Sequence, residues 1–551
     1  MKRKIIRTLS TLAIASLALA SCGEKTDQPI SSTDDGQIDS STPTTPETPE
    51  TPDIPETIEN PDYSAPGFAA GKISDRVVSE EDADVYIKVS TPMEFMDAIK
   101  ATYAENQKAI KVIEITKDLD LGFNEIGEDV KAKYLNEGLI SFVKNKAYVG
   151  SSLFNKTGVS QIELSNRQNL TIYSKNGATI RHAGFKITRC NDVSIRNINF
   201  DEMWEWEDTA TGAYGKIGDY DRHGWAYFKV NFSENIWFDH CTFGKAYDGL
   251  IDSENESRGI AISWCKFLGG DITEGSYIDE IMDEVETHYN TKKQIDNGEI
   301  VKPEGFDEEK GKYYAFLRDN GVSHDLILRA LCLGQKKGFL IGGGDTPDDD
   351  QWKKNKLMDF TIANTYIKNL QDRLPRVRGA NAYVYNTVLD CETYYSARQE
   401  IKGMANYDEI DAGIKTNGWK MSLTSQGMVT TNEAAVKYKN VIFKGVSEAI
   451  KANNKDNSNT RFTGKYCVEN SRYILGDYSY TGNSGELNTP WVNVRHTPTI
   501  DFRWNTEGGI IPFEIETINL DTLEATLLDS QYGSGSGVIT LGDNFWLKAN
   551  Y

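Results

Sequence analysis

Glu234-Asn-Ile-Trp-Phe-Asp-His-Cys-Thr-Phe243 and, a short loop later, Arg258-Gly-Ile-Ala-Ile-Ser-Trp-Cys-Lys-Phe267 carry the pattern that decides the fold. Asn191-Asp-Val-Ser-Ile-Arg-Asn-Ile-Asn-Phe200 lies upstream with apolar residues at the same offsets: Val193, Ile195, Ile198 and Phe200 match Ile236, Phe238, Cys241 and Phe243, then Ile260, Ile262, Cys265 and Phe267. Phe360, Ile362, Thr365 and Ile367 repeat it, as do Ala382, Val384, Thr387 and Leu389. Within each copy the alternation has period two, breaks once and resumes, as in two short strands joined by a bend. Ile236 and Ile260 are 24 residues apart, Phe360 and Ala382 22 apart, spacings that suggest a solenoid whose coils share one core. The bend residues are Asn197, His240, Trp264, Asn364 and Asn386; three Asn at equivalent bends predict a stacked ladder of amides. A β-sandwich is the competing architecture, but its strands would lack this constant bend. Buried parallel strands require right-handed crossovers. The expectation is an all-β fold, a right-handed parallel β-helix.

Working outward, Val85-Tyr-Ile-Lys-Val89 reads as a strand, and Thr91-Pro92 opens a helix with Phe95, Met96 and Ile99 on one face. Residues 272–333 break the coil pattern. Helical spacing at Ile278, Ile281, Met282, Val285 and Tyr289, and Ser323 as cap before Leu326, Ile327, Ala330 and Leu331, predict a helical insertion from one loop. Insertions of this kind usually sit on the binding face, where this one would wall a groove. The predicted organisation is a leader over residues 1–22, a linker over 23–82, the β-helix over 83–480, and a C-terminal extension over 481–551 packing on it.

The leader has Lys2, Arg3 and Lys4, an apolar run from Leu9 to Ala20, and Leu19-Ala-Ser-Cys22. This is a secretory signal too short for a stable span, and its end resembles a bacterial lipobox with Cys22 as the acylated residue. The expected location is the cell envelope, at the outer membrane, with membrane contact through the N-terminal lipid only. Between Thr26 and Gly71 there is no Lys or Arg, and Thr, Pro, Ser, Asp and Glu dominate; such a segment reads as a stiff acidic tether. The formal net charge of −22 argues against a nucleic-acid partner, which needs clustered cations. Cys190, Cys241, Cys265, Cys332, Cys391 and Cys467 form no CxxC pair and read as buried thiols, not a zinc site. A monomer is expected.

Three clusters carry chemistry. Asn235-Ile-Trp-Phe-Asp-His-Cys241 with Asp248-Gly-Leu-Ile-Asp252, and Ala261-Ile-Ser-Trp264 after them, resemble the signatures of the pectate and pectin lyases, polysaccharide lyase family 1. Gln335-Lys-Lys-Gly-Phe-Leu-Ile-Gly342 resembles that family's lysine strand. Arg373-Leu-Pro-Arg-Val-Arg378, followed by Ala382-Tyr-Val-Tyr-Asn386, resembles its arginine segment. The motifs occur in the family's order over roughly residues 83–470. The resemblance implies cleavage of α-1,4-linked polygalacturonate by β-elimination, with Arg373 as base, Lys337 binding the substrate carboxylate, Arg378 as second arginine, and Asp248 and Asp252 as Ca2+ ligands. One departure is Ala226, which stands where a further acidic ligand is expected; Asp219 and Asp221 lie nearby as substitutes. Ca2+ binding is therefore expected to be weak or completed by substrate.

The chemistry suits these residue types. Removing a proton alpha to a carboxylate builds negative charge there, which a cation, Lys and Arg stabilise. Ca2+ takes several carboxylate oxygens. Asp248 and Asp252 share a strand face as an i, i+4 pair, but fully extended they would be about 13 Å apart, so Gly249 must let the chain bend. From Gln351 to Ala380, Lys353, Lys354, Lys356, Lys368, Arg373, Arg376 and Arg378 face only Asp359 and Asp372, a basic strip suited to a polyanion such as an acidic plant polysaccharide. Two alternatives compete: a Ca2+-independent pectin lyase acting on methyl-esterified pectin, and a non-catalytic surface glycan-binding protein on the same scaffold. His240, at a bend, reads as a structural hydrogen-bonding residue.

Overall fold

A computed structural model describes residues 61–101, 110–135, 137–143, 158–208, 216–220, 224–344, 349–451, 464–485, 489–491, 502–540 and 544–550. The leader, Cys22, most of the acidic segment and Asp221 lie outside the described residues. The chain is a right-handed parallel β-helix.

The columns of the repeat are the register of one sheet. Leu170, Val193, Ile236, Ile260, Phe360, Ala382, Val436 and Tyr466 stand on successive rungs. Beyond the bend, Phe200, Phe243, Phe267, Ile367, Leu389 and Phe443 do the same. The rings of Phe200, Phe243 and Phe267 stack with centroids 5.1 and 4.6 Å apart. No coil could bury these side chains alone, so the stack supplies the core.

The bend needs a left-handed backbone. Asn197, His240, Trp264, Asn364, Asn386, Asn440 and Asn470 all have φ between 41° and 59°, a region Asn tolerates better than most residues. The amide ladder differs from the expected one. Asn386 Nδ2 donates to Asn364 Oδ1 at 2.8 Å, Asn440 Nδ2 to Asn386 Oδ1 at 2.8 Å, and Asn470 Nδ2 to Asn440 Oδ1 at 3.0 Å. Asn197 is cut off from it by His240 and Trp264, whose rings stack, and donates instead to the Ser174 carbonyl at 2.6 Å.

A second column of parallel strands includes Phe228–Asn231, Ile251–Glu254, Phe339–Ile341 and Arg376–Arg378. The two sheets differ in what covers them. Outside the first, the buried Trp237, Ala261, Ala363, Tyr383 and Tyr385 are covered by Ala65, Phe68, Ala69, Ile73, Trp504 and Ala549 from the chain's two ends. Packing therefore begins near Pro61, about twenty residues before the strand that opens the predicted body; Tyr63, Phe68 and Arg76 are buried. The second sheet keeps polar side chains on its outer face.

Helix Pro92–Ala101 puts the fully buried Phe95, Met96 and Ile99 into the N-terminal end of the core. The insertion forms helices Tyr277–Asp296, Lys312–Asp319 and His324–Ile327, with Ser276 and Ser323 as side-chain caps. A second helical pair, Glu392–Lys402 and Tyr407–Thr416, interrupts the coils later and was not expected. Cys190, Cys241, Cys265, Cys332 and Cys391 are buried free thiols.

Candidate active site

Four successive strands of the second sheet are entered through short bends that lie side by side; Lys337 ends the three-residue strand Gln335–Lys337 immediately before its bend at Gly338. Asp248 N donates to Trp225 O, Leu250 N to Gly338 O, and Phe339 N to Arg373 O, each at 2.9 Å. These bonds line up Ala226, Asp248, Lys337 and Arg373 from four consecutive coils. Gly338 permits the closest step, since a Cβ there would stand 2.5 Å from the Arg373 carbonyl oxygen. Asp248 and Asp252 do not share a strand face. Asp248 is in the turn and Asp252 in the strand, and the chain folds back until Asp252 Oδ1 would be 2.9 Å from a Cβ on Gly249.

Lys337 Nζ donates to Asp248 Oδ1 at 2.6 Å. Burial, then the charge of Asp252, pushes the Asp248 carboxyl up to about 7. Burial pushes Asp252 up to about 6, and its Oδ1 is buried without a hydrogen-bond partner. Lys337 is pulled down to about 8, by burial and then by Arg373. Two carboxyls that resist ionisation side by side, one with an unused oxygen, fit a bound cation.

Arg373 follows strand Leu370–Asp372 with φ 73°. Its Nε is buried without a partner. The neighbouring carboxylate is already engaged, Asp372 Oδ1 accepting the Arg373 backbone N–H at 2.8 Å and Oδ2 pairing with Lys451 at 3.0 Å. Among the described residues no carboxylate pairs with the Arg373 guanidinium.

Other candidates sit differently. Arg378 is buried two residues further along its strand from the Asp252 row and donates to Gly342 O at 3.3 Å; it is not gathered with Arg373 and Lys337. Asp219 is held by Lys336 and Lys420 together, so it offers no carboxylate to the Asp248–Asp252 pair, and Ala226 offers none either. Asp221 lies outside the described residues. His240 is fully buried, its Nδ1 2.9 Å from Asp239 Oδ1, and belongs to the packing of the first sheet. Behind the site, Tyr313 of the insertion stacks on Trp206 and donates to Lys420 O at 3.1 Å. The sequence reading overlooked Lys229. It stands on the rung beside Asp252, and pairing the inward residues Phe228 and Val230 with Ile251 and Ser253 would have revealed it.

No family model matches the chain. Pectate lyase B of Paenibacillus amylolyticus is 32% identical over 392 residues, covering 70% of this chain and 87% of that protein. The pectate trisaccharide-lyase of Thermotoga maritima is 37% identical over 216 residues, 39% of this chain and 38% of its own. Among solved structures, a pectate lyase from Paenibacillus sp. 0602 superposes with a TM-score of 0.75 at 31% identity, covering 89% of this chain and 99% of that one. With its coils, its aligned turns and a relative matched over most of its length, the chain belongs to the pectate lyase family.

Proposed function

We propose that the protein cleaves polygalacturonate by β-elimination at the turns bearing Asp248, Lys337 and Arg373. The observation that carries this is the meeting of a guanidinium with no carboxylate partner among the described residues, a half-buried ammonium and two carboxyls on consecutive coils. Lys337 grips the uronate carboxylate, on which charge builds as the adjacent C5 proton leaves. Arg373 takes that proton; the C4–O4 bond breaks, a C4–C5 double bond forms, and the departing oxygen is protonated from solvent. Among the described residues no carboxylate pairs with the Arg373 guanidinium, and Lys337 stands on the neighbouring coil, so the guanidinium is left to meet the substrate. Turnover should rise from acid pH as the Asp252 and Asp248 carboxyls, near 6 and 7, ionise, and fall as Lys337, pulled down to about 8, loses its charge. Asp248 and Asp252 would hold calcium, which when bound adds positive charge at the same substrate carboxylate. With Ala226 contributing no ligand, affinity falls in the weak extracellular range, of order 10⁻⁴–10⁻³ M.

The test is the absorbance of unsaturated uronide during incubation with polygalacturonate, with calcium and with excess chelator. Product formed faster with calcium is expected. No product in either condition removes the lyase assignment and leaves a glycan-binding surface; equal rates with and without chelator, together with faster cleavage of methyl-esterified pectin, favour the calcium-independent reading that Ala226 invites. The anchor belongs to the same proposal: Cys22 is acylated, and the Thr/Pro/Glu-rich segment holds the enzyme off an envelope membrane while it meets an extracellular polymer.

A further inference from the structure

Across six successive strands the outer row of the second sheet reads Glu163, Lys186, Lys229, Asp252, Leu340 and Arg376. Neighbouring rungs of such a sheet stand about 4.8 Å apart. Lys186 is already matched, its ammonium 3.2 Å from Glu163. Lys229 is half-buried, and among the described residues no carboxylate lies within ion-pair distance of it. Its ammonium points to the turn before its own strand, 3.4 Å from the place a Cβ would take on Gly224, and it lines one small hollow with Gly224, Trp225 and Ala226. Lys229 thus stands beside Ala226, where the described part of the turn offers no carboxylate, and its charge acts on both Asp248 and Asp252, favouring their ionised forms.

An ammonium with no carboxylate partner among the described residues, standing beside the buried Asp252 and the half-buried Asp248, has two consequences. It supplies part of the positive charge that the pair needs, so the site is organised before any metal arrives. It also repels a divalent cation entering the same space, an effect worth about tenfold in affinity for a unit charge and a divalent ion roughly 6 Å apart at a solvated site. We propose that Lys229 is a substrate-positioning residue whose ammonium, set between the Asp248–Asp252 pair and the turn at Gly224 and Ala226, draws in the uronate carboxylate and lets part of the turnover proceed without calcium. This inference rests on the lyase reading above.

The experiment compares the full-length protein with Lys229→Met, which keeps the stem and removes the charge, and Lys229→Arg, which restores the charge. Retention of the wild-type melting transition certifies the fold, and Lys229→Gln replaces Lys229→Met if that variant does not fold. Calcium alone, titrated calorimetrically without saccharide, should bind the uncharged variant about tenfold more tightly than wild type, and Lys229→Arg as weakly as wild type. In excess chelator with polygalacturonate, the uncharged variant should lose about tenfold in kcat/KM, chiefly through KM, and Lys229→Arg should recover most of it. Both results are required. Calcium affinity that stays at the wild-type value, or a chelator-resistant rate that survives loss of the charge, overturns the proposal. If wild type releases no unsaturated product under any metal condition, the lyase reading falls, and with it this role for Lys229.

Discussion

Arg373 holds φ at 73°, a conformation that costs a side-chain-bearing residue roughly 1–2 kcal/mol. Strain of this kind persists where the surroundings impose it, and here Gly338 and the Phe339 N–H fix the Arg373 carbonyl. Arg373→Gly should therefore melt at or above wild type while losing on the order of 10³-fold in kcat, the middle of the range for removing a positioned base; a folded Arg373→Gly protein with near-normal product release would take Arg373 out of the mechanism. Lys337→Ala should lose activity to a similar degree, again without unfolding. Asp252 permits a test of sign. Its carboxyl titrates near 6 when folded, against the ordinary 3.8, so between those values the folded state binds more protons than the unfolded chain. The contribution to stability is present below about pH 4 and lost as pH rises through 6. In chelator, Asp252→Asn should match wild type near pH 4 and exceed it at pH 8 by on the order of 3 kcal/mol, each pKa unit being worth ~1.36 kcal/mol. Denaturant titrations at the two pH values decide it; a variant less stable than wild type at pH 8 refutes the account. Motif spacing singled out Asp248, Asp252, Lys337 and Arg373, and stacking of the coils brings them onto neighbouring rungs, Asp248 and Arg373 in the bends and Asp252 and Lys337 in the strands that flank them. Lys229 has no motif. Its importance comes from the register with Asp252 across two strands, and spacing along one chain does not display that.

At the scale of elements, the bend ladder ties coils together through side chains as the strands do through backbone. Asn386 is its centre: Nδ2 donates to Asn364 Oδ1 and Glu516 O, while Oδ1 accepts from Asn440 Nδ2 and from Ile518 N. Asn386→Ala would orphan several buried groups and keep Ala in a left-handed backbone, a loss of about 2–4 kcal/mol. Asn470, at the exposed end of the ladder, should cost about 1 kcal/mol on the same substitution. Equal losses at the two positions in urea titrations would show that the ladder does not act as a stack. The repeat columns were legible because period-two alternation with one fixed bend survives wherever the loops are short. Asn440 falls outside the visible repeat because the helices at Glu392–Lys402 and Tyr407–Thr416 separate it from Asn386 by 54 residues, and Asn470 follows only after a further 30, which destroys the period. The segment after Pro61 has the Pro, Ser and Asp content of the linker before it and so looks like tether in sequence; its few apolar side chains, Tyr63, Phe68 and Ile73, are nonetheless enough to cover a sheet already formed.

The molecule as a whole divides its labour between its sheets: one is roofed by the two ends of the chain, and the other is left open for a polymer. This division lets an acidic protein of net charge −22 act on an acidic substrate, because the cations Lys229, Lys336, Lys337, Arg373, Lys420 and Lys451 lie at or beside the open sheet's turns. It also makes stability and catalysis separable. Residues 544–550 close the roof. Arg196, buried and paired with Asp239 at 2.7 Å, donates to the carbonyls of Phe545, Trp546 and Lys548. Arg76 N donates to Leu547 O and Ala65 N to Ala549 O, so the C-terminal segment also pins the N-terminal one. Phe545 packs edge-on against Tyr63, and Trp546 against His240. Truncation after residue 543 would leave a buried guanidinium with three lost acceptors and uncover Tyr63, His240 and Trp264. Breaking the surroundings of a buried charge costs about 3–5 kcal/mol, and the newly exposed aromatic surface adds to it at roughly 25 cal/mol per Å². The truncated protein should therefore melt well below the full chain. Below its melting transition it should keep the kcat of the full-length enzyme, because none of the severed contacts reaches Asp248, Lys337 or Arg373. Measuring kcat against the folded fraction at several temperatures separates the two effects. A truncated protein that melts like the full chain would mean that the roof is not held by this segment, and a fully folded one with a reduced kcat would mean that the two sheets are mechanically coupled through the core.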